Sequence, residues 1–168
     1  MAHADMFLLV KGQRTGAVKG ESSDKAHPDQ IEVLSWRWGV DSPTDAATGD
    51  PTGRRTYATL SVVKRVDRAT PVLYQICANN ETVTTATLTV RKAGGSPKDY
   101  FVLTLGKARV KSIDTRSGDP AHPDHPEHLY DEVEFAFRRV DMMYQQQQAD
   151  GSLGGGITFS DDISDQDT

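Results

Sequence analysis

Only one of the 168 residues, Cys77, is a cysteine, which excludes an intrachain disulfide and any zinc or cluster site built from several thiolates. Long apolar runs are missing too. The run Met6-Phe7-Leu8-Leu9-Val10 follows Asp5 and no basic segment. It is too short to cross a bilayer and lacks the charge pattern of a secretory signal. Basic charge is in deficit, with 19 Lys and Arg against 24 Asp and Glu for a net −5, the wrong sign for a dedicated nucleic-acid binder. No nucleic-acid partner and no membrane insertion are expected. G-x-S-x-G and G-x-x-x-x-G-K-[ST] are both absent, so no nucleophile elbow or phosphate cradle is assigned, and neither an enzyme nor a cofactor is expected.

The deficit is local. Residues 145–168 carry five aspartates and no Lys or Arg, which accounts for the whole −5. The last eight residues, Asp-Asp-Ile-Ser-Asp-Gln-Asp-Thr, bury too little to order themselves. The expected organisation is one domain over residues 1–160 and an acidic, flexible tail over residues 161–168.

What is present is alternation of period two in β-branched and aromatic residues, broken by Gly, Pro and Asp clusters, the pattern of an antiparallel β-protein. Strands are expected over residues 5–11, 31–40, 56–66, 83–92, 98–111 and 129–145, with a short closing strand over 156–160. In the second of these, Leu34, Trp36, Trp38 and Val40 would share a core face, leaving Ile31, Val33, Ser35 and Arg37 on a mixed one. Residues 41–55 are small and polar with two prolines and two glycines, and they read as a flexible excursion. Residues 67–80 are the helix candidate: Thr70 can cap, Pro71 suits the first helical position, and Val72, Leu73, Ile76 and Cys77 recur at helical spacing. Gly106 marks a candidate bulge. Between residues 129 and 145 the apolar phase slips from odd (Val133, Phe135, Phe137) to even (Val140, Met142, Tyr144), which a bulge near Arg138 or Arg139 would reconcile. The fold class is mainly β: a compact antiparallel β-barrel of about eight strands with one flanking α-helix.

Three features could carry chemistry. His122, His125 and His128 have H-x-x-H-x-x-H spacing, but Pro123 and Pro126 stiffen the loop and point the rings apart, so no metal site is assigned. Trp36 and Trp38 could stack a sugar, although such a pair more often anchors a core. Cys77 lies on the apolar helix face, where cysteine acts as a small hydrophobe.

Several segments, in order, resemble the haemolysin-coregulated protein (Hcp) family, the inner-tube proteins of bacterial type VI secretion systems. They are Asp5-Met6-Phe7, Lys19-Gly20-Glu21-Ser22 with Asp24, Lys25 and His27, and then Ile31-Glu32-Val33-Leu34-Ser35-Trp36-Arg37-Trp38-Gly39. Lys64-Arg65-Val66-Asp67, Thr70-Pro71-Val72-Leu73, Arg91-Lys92-Ala93-Gly94-Gly95 and Tyr144 with Ala149-Asp150-Gly151 follow. The loop over residues 122–128 and the ending Phe159-Ser160-Asp161-Asp162-Ile163 differ from the family pattern. The resemblance implies a homohexameric ring that stacks into a hollow tube inside a contractile sheath, carries a trimeric spike and is expelled with effectors. It also implies assembly in the bacterial cytoplasm and export without a signal peptide. The length is expected to leave no place for a fused C-terminal enzyme. Within that frame Ser35 and Arg37 are the candidates for the channel wall, and Arg54 and Arg55, in the excursion over residues 41–55, for ring stacking. The competing expectation is a free-standing β-sandwich that binds carbohydrate or protein through Trp36 and Trp38; a metalloenzyme built on the histidine loop is a third.

Overall fold

The computed structural model describes residues 5–92, 98–118 and 127–163. Its elements are β1 (Asp5–Gly12), β2 (Gly16–Val18), β3 (Ile31–Glu32), β4 (Ser35–Arg37), β5 (Val40–Asp41), β6 (Thr56–Tyr57) and β7 (Leu60–Arg65). The helix α1 (Ala69–Ala78) follows, then β8 (Val83–Arg91), β9 (Asp99–Ser117), β10 (Leu129–Ala136), β11 (Arg139–Gln147) and β12 (Leu153–Asp162). Every strand pairing is antiparallel. The main ladder runs β2-β1-β8-β9-β10-β7-β4, with β11 on β9, β12 on β11 and β3 on β1. The mainly-β class with one helix is as expected. The strands are more numerous, several expected ones being divided, and among the described residues the ladder is not a closed barrel.

Two corners explain the difference. The first lies in the 19-residue β9, whose leading half is held between β8 and β11 and whose trailing half pairs with β10. Inward residues are Leu103 and Leu105 before Gly106, and Ala108 and Val110 after it. Lys107, at φ 47°, supplies the slip. Across from it the chain breaks between Ala136 and Arg139, so the single strand expected over residues 129–145 is two, β10 and β11. The register sets Ala136 opposite Arg109 and Arg139 opposite Gly106; both strands therefore turn the same corner, and the phase slip in the sequence is its trace. A Cβ on Gly106 would lie 3.3 Å from that of Arg139, a tight approach that the glycine relieves.

The second corner corrects the reading of residues 31–40. Val33 N–H donates to Met6 of β1 (3.0 Å), and the next amide, Leu34 N–H, donates to Val63 of β7 (2.8 Å). Adjacent residues thus bond to opposite sheets, and the inward phase reverses between them. Ile31 and Val33 are buried, while Leu34 and Val40, expected in the core, are 42% and 49% exposed. Trp36 and Trp38 do pack on the core, Trp36 stacked on Phe101 (centroids 5.4 Å) and Trp38 on Tyr57 (5.6 Å).

One buried cluster joins Leu8, Val10, Ile31, Leu60, Val62, Leu88, Leu103, Leu105, Val133 and Phe135 to Leu73 and Ile76 of α1. The helix starts one residue before the expected cap: Arg68 holds the N-cap position, and Pro71 falls within the first turn rather than at its first residue. Thr70 does not cap, because its hydroxyl is engaged below the helix. It donates to Asp131 Oδ2 (2.5 Å) and accepts from Lys64 Nζ (3.0 Å) and Asp67 N–H (3.1 Å), which uses all its capacity. Lys64 is fully buried and its ammonium also reaches Asp131 Oδ2 (2.8 Å), Asp67 Oδ1 (2.9 Å) and the Arg65 carbonyl (3.0 Å). Thr115 of β9 donates to the other oxygen of Asp131 (2.5 Å). The network ties β7, β9, β10 and the start of α1 together. At the other end Asn80, at φ 50°, closes the helix. No helix among the described residues is long and apolar enough to cross a membrane.

A second polar cluster pins the loop between β2 and β3. Arg91 bonds Asp5 and Asp24 (2.7 and 2.5 Å), its guanidinium sits 5.0 Å from the Phe7 ring centroid, and His27 stacks on Phe7 while Nε2 meets Asp99 at 3.0 Å. The Arg91 guanidinium holds the Asp24 carboxyl at about 2, well below its ordinary value.

Breaking the buried pair with Asp131→Asn should cost about 3–5 kcal/mol, read as a large drop in thermal midpoint, and Lys64→Met with Asp131→Leu should cost less than either single change. Burial pushes the Asp131 carboxyl up, but hydrogen bonds from Lys64, Thr115 and Thr70 outweigh it and the net shift is downward. Its contribution is therefore full above the ordinary carboxylate range and is lost as pH falls through the lowered folded value; Asp131→Asn should flatten the acid limb of the stability curve. A carboxyl-carbon NMR titration should place the Asp24 midpoint near 2, and Arg91→Met should raise it toward the ordinary value.

Candidate functional site: assembly surfaces

Antiparallel pairing puts directly opposed residues on one side of a sheet, so registers alone define the outer face around β4. One row reads Ser35, Val63, Glu132, Asp114 and the next Arg37, Ser61, Glu134, Ser112. The alternate residues of β7 and β10, among them Leu60, Val62, Val133 and Phe135, face the core. Ser35 and Arg37 are exposed. Ser61 Oγ donates to Glu132 Oε1 (3.1 Å) and Ser112 Oγ to Glu134 Oε2 (3.0 Å). The two rows make a continuous polar surface in which Val63 is the one apolar side chain. Glu132 and Glu134, which alternate with Val133 and Phe135, lie on this face beside Ser35 and Arg37 and were not among the expected site residues.

Residues 41–55, expected as a flexible excursion, fold as a projecting β-hairpin. Val40 opposes Tyr57, Asp41 opposes Thr56, and Thr44 bridges Pro51. Its tip is an Asx turn: Asp45 Oδ1 accepts from the amides of Ala47 (2.7 Å) and Thr48 (3.0 Å), and these two bonds, that from Thr48 first, lower the Asp45 pKa. Arg54 points outward and is exposed. Arg55 meets Asp161 of the same chain, through Nη2 to Oδ1 at 2.7 Å and through Nε to Oδ2. Asp161 and Asp162, expected in the tail, are the last residues of β12; polar composition concealed that the closing strand expected over residues 156–160 runs on to them. Residues 164–168 are outside the described residues, as are His122 and His125.

A third surface lies on the β11–β12 hairpin. Among the described residues strand β12 pairs only with β11. The face that is core at Leu103, Leu105 and Val140 continues through the half-buried Met142 to an exposed edge, where Tyr144 opposes Ile157 and Met142 opposes Phe159. Ile157 is 70% and Phe159 44% exposed. Among the described residues no group of three or more His, Cys, Asp or Glu could hold a metal ion, and Trp36 and Trp38 each stack one face on a neighbouring ring, Phe101 and Tyr57.

The family model described as "Type VI secretion system effector, Hcp" matches residues 7–144. Protein hcp1 of Pseudomonas aeruginosa is 36% identical over 155 residues, covering 90% of each chain, and the Major exported protein of the same organism is 27% identical over 86% of each. Among solved structures, Hcp1 from Salmonella typhimurium superposes with a TM-score of 0.74 at 30% identity, over 98% of this chain and 97% of that one. A type six secretion system protein superposes at 0.83 with 22% identity, over 97% and 98%. With the family model spanning most of the chain and the fold matching throughout, the chain belongs to the Hcp family of type VI secretion proteins.

Proposed function

We propose that this chain is a structural subunit of the type VI inner tube and not an enzyme: six copies close into a ring, rings stack into a hollow tube, and effectors ride in its lumen. The observation that carries the reading is the β11–β12 hairpin. An edge strand with a free hydrogen-bonding side, beside Tyr144, Ile157 and Phe159 in the open, is a liability in a monomer and a contact in a ring. In a closed ring one side of each subunit meets a different side of the next, so no edge is left over.

The polar rows around Ser35 and Arg37 suit a channel wall. Hydroxyls and charges stay hydrated there, and contacts with a passenger are individually weak, roughly 0–1 kcal/mol for an exposed ion pair. The exposed hairpin over residues 40–57 suits contact between rings, with Arg54 facing outward for an acidic neighbour. Spike, sheath and effectors are the partners this role requires, with assembly in the cytoplasm before export.

Light scattering on the untagged protein should give six times the chain mass, with annular particles in the same peak; a monomer unchanged at high concentration would overturn the reading. Arg37→Glu should leave that mass intact and change cargo retention about fivefold, the upper end for one exposed pair, whereas loss of the ring would remove Arg37 from the channel wall. Deleting residues 44–52 should spare rings and shorten tubes; tube growth at the wild-type rate would refute the stacking role of the hairpin.

A further inference from the structure

The hairpin over residues 40–57 is attached to the body only at its base. Residues 41–54 are all exposed, and their hydrogen bonds, such as Asp45 N–H to Asp50 O (2.7 Å) and Thr52 N–H to Pro43 O (2.9 Å), stay within the hairpin among the described residues. One leg begins at Gly39, around which a side chain would meet nothing within 4 Å. A stiff arm on open legs needs something to fix its direction.

Three groups at the base converge on one carboxylate. Arg55 Nη2 lies 2.7 Å from Asp161 Oδ1, Arg55 Nε bonds Oδ2, and Tyr57 Oη donates to Oδ2 at 2.5 Å. A two-bond fork between guanidinium and carboxylate fixes angle as well as distance. The Tyr57 ring is itself held, stacked on Trp38 and set edge-on to Phe137 at 5.5 Å. We infer that Asp161 is a positioning residue: it clamps the base of the arm to β12, so the free edge strand also sets the direction in which the arm projects.

The paired guanidinium and the Tyr57 hydroxyl hold the Asp161 carboxyl below its ordinary value, so the clamp is charged at neutral pH. Arg55 is occupied within its own chain and does not need a neighbouring ring to be satisfied. The consequence for tubes rests on the ring reading above: a contact that seats β12 against the next subunit also steadies the arm. A tip about 20 Å from its base moves by about 3 Å for a 10° swing at the base, enough to miss a partner.

The test is hydrogen–deuterium exchange on the full chain, comparing the peptide over residues 40–57 with the β8 peptide as internal control. Asp161→Asn should speed exchange of the arm about fivefold, the loss expected for a part-exposed bidentate pair, with β8 unchanged. The exchanged pair Arg55→Asp with Asp161→Arg should restore protection, which a merely local loss of packing would not. Arm exchange unaltered in Asp161→Asn would overturn the proposal. If β8 loosens as well, Tyr57→Phe, which removes one hydroxyl and keeps the ring, decides: faster arm exchange alone supports the clamp, and none refutes it. Tube length on the same samples separates the two readings. A loosened arm with tubes of full length keeps the clamp and removes the hairpin from stacking, while a protected arm with short tubes removes the clamp alone.

Discussion

The buried ammonium of Lys64 is the constraint from which the rest of the molecule is hung. An isolated charge in an apolar interior is prohibitively costly, so everything around it must supply acceptors. Asp131 from β10, Asp67 and Thr70 at the start of α1 and the Arg65 carbonyl do so, and Thr115 of β9 steadies the carboxylate from its other side. Three strands, β7, β9 and β10, and a helix are thereby fixed in mutual register by a group that tolerates little displacement. Hydrophobic cover alone would hold α1 on the sheet but would not dictate which turn faces which strand. The polar network does, and the capping hydroxyl expected of Thr70 is diverted to it.

Much of the fold was legible because alternation and helical spacing report burial directly. The helix, its closing asparagines and the strands β1 and β8 follow from pattern alone, whereas the strand expected over residues 56–66 is divided into β6 and β7. Where the reading missed, the chain changes layer. Residues 31–40 look like one strand in sequence, yet their bonds pass from β1 to β7 between Val33 and Leu34, so Ile31 and Val33 face the core before the change and Trp36 and Trp38 after it. The same event at the β10–β11 corner was legible, because there Phe135 and Val140 leave a visible slip; at Val33 the apolar residues on both phases hide it. Lys64 shares the inward phase with Leu60 and Val62, but no single-strand pattern announces a distant Asp131 to receive its charge.

The candidate surfaces divide in the same way. Ser35 and Arg37 were identifiable as outward-facing, since they alternate with bulky aromatics. The hairpin over residues 40–57 read as loose because its ladder is only two residue pairs long and its composition is that of a loop. Asp161 was assigned to a tail for the same compositional reason; pairing with Arg55, 106 residues away in sequence, is not written in either segment alone. Edge elements are specified by the partners they meet, and those partners leave little imprint on local pattern.

The polar rows around β4 bear on motion as well as recognition. Glu132 and Glu134 take hydrogen bonds from Ser61 and Ser112, and Val63 is the only apolar interruption, so the face keeps its layer of water. A large molecule brought against such a face displaces little of that water and finds no deep grip. It is held by many shallow contacts that form and break independently. Were this face the channel wall proposed above, such contacts would confine the contents without gluing them to it.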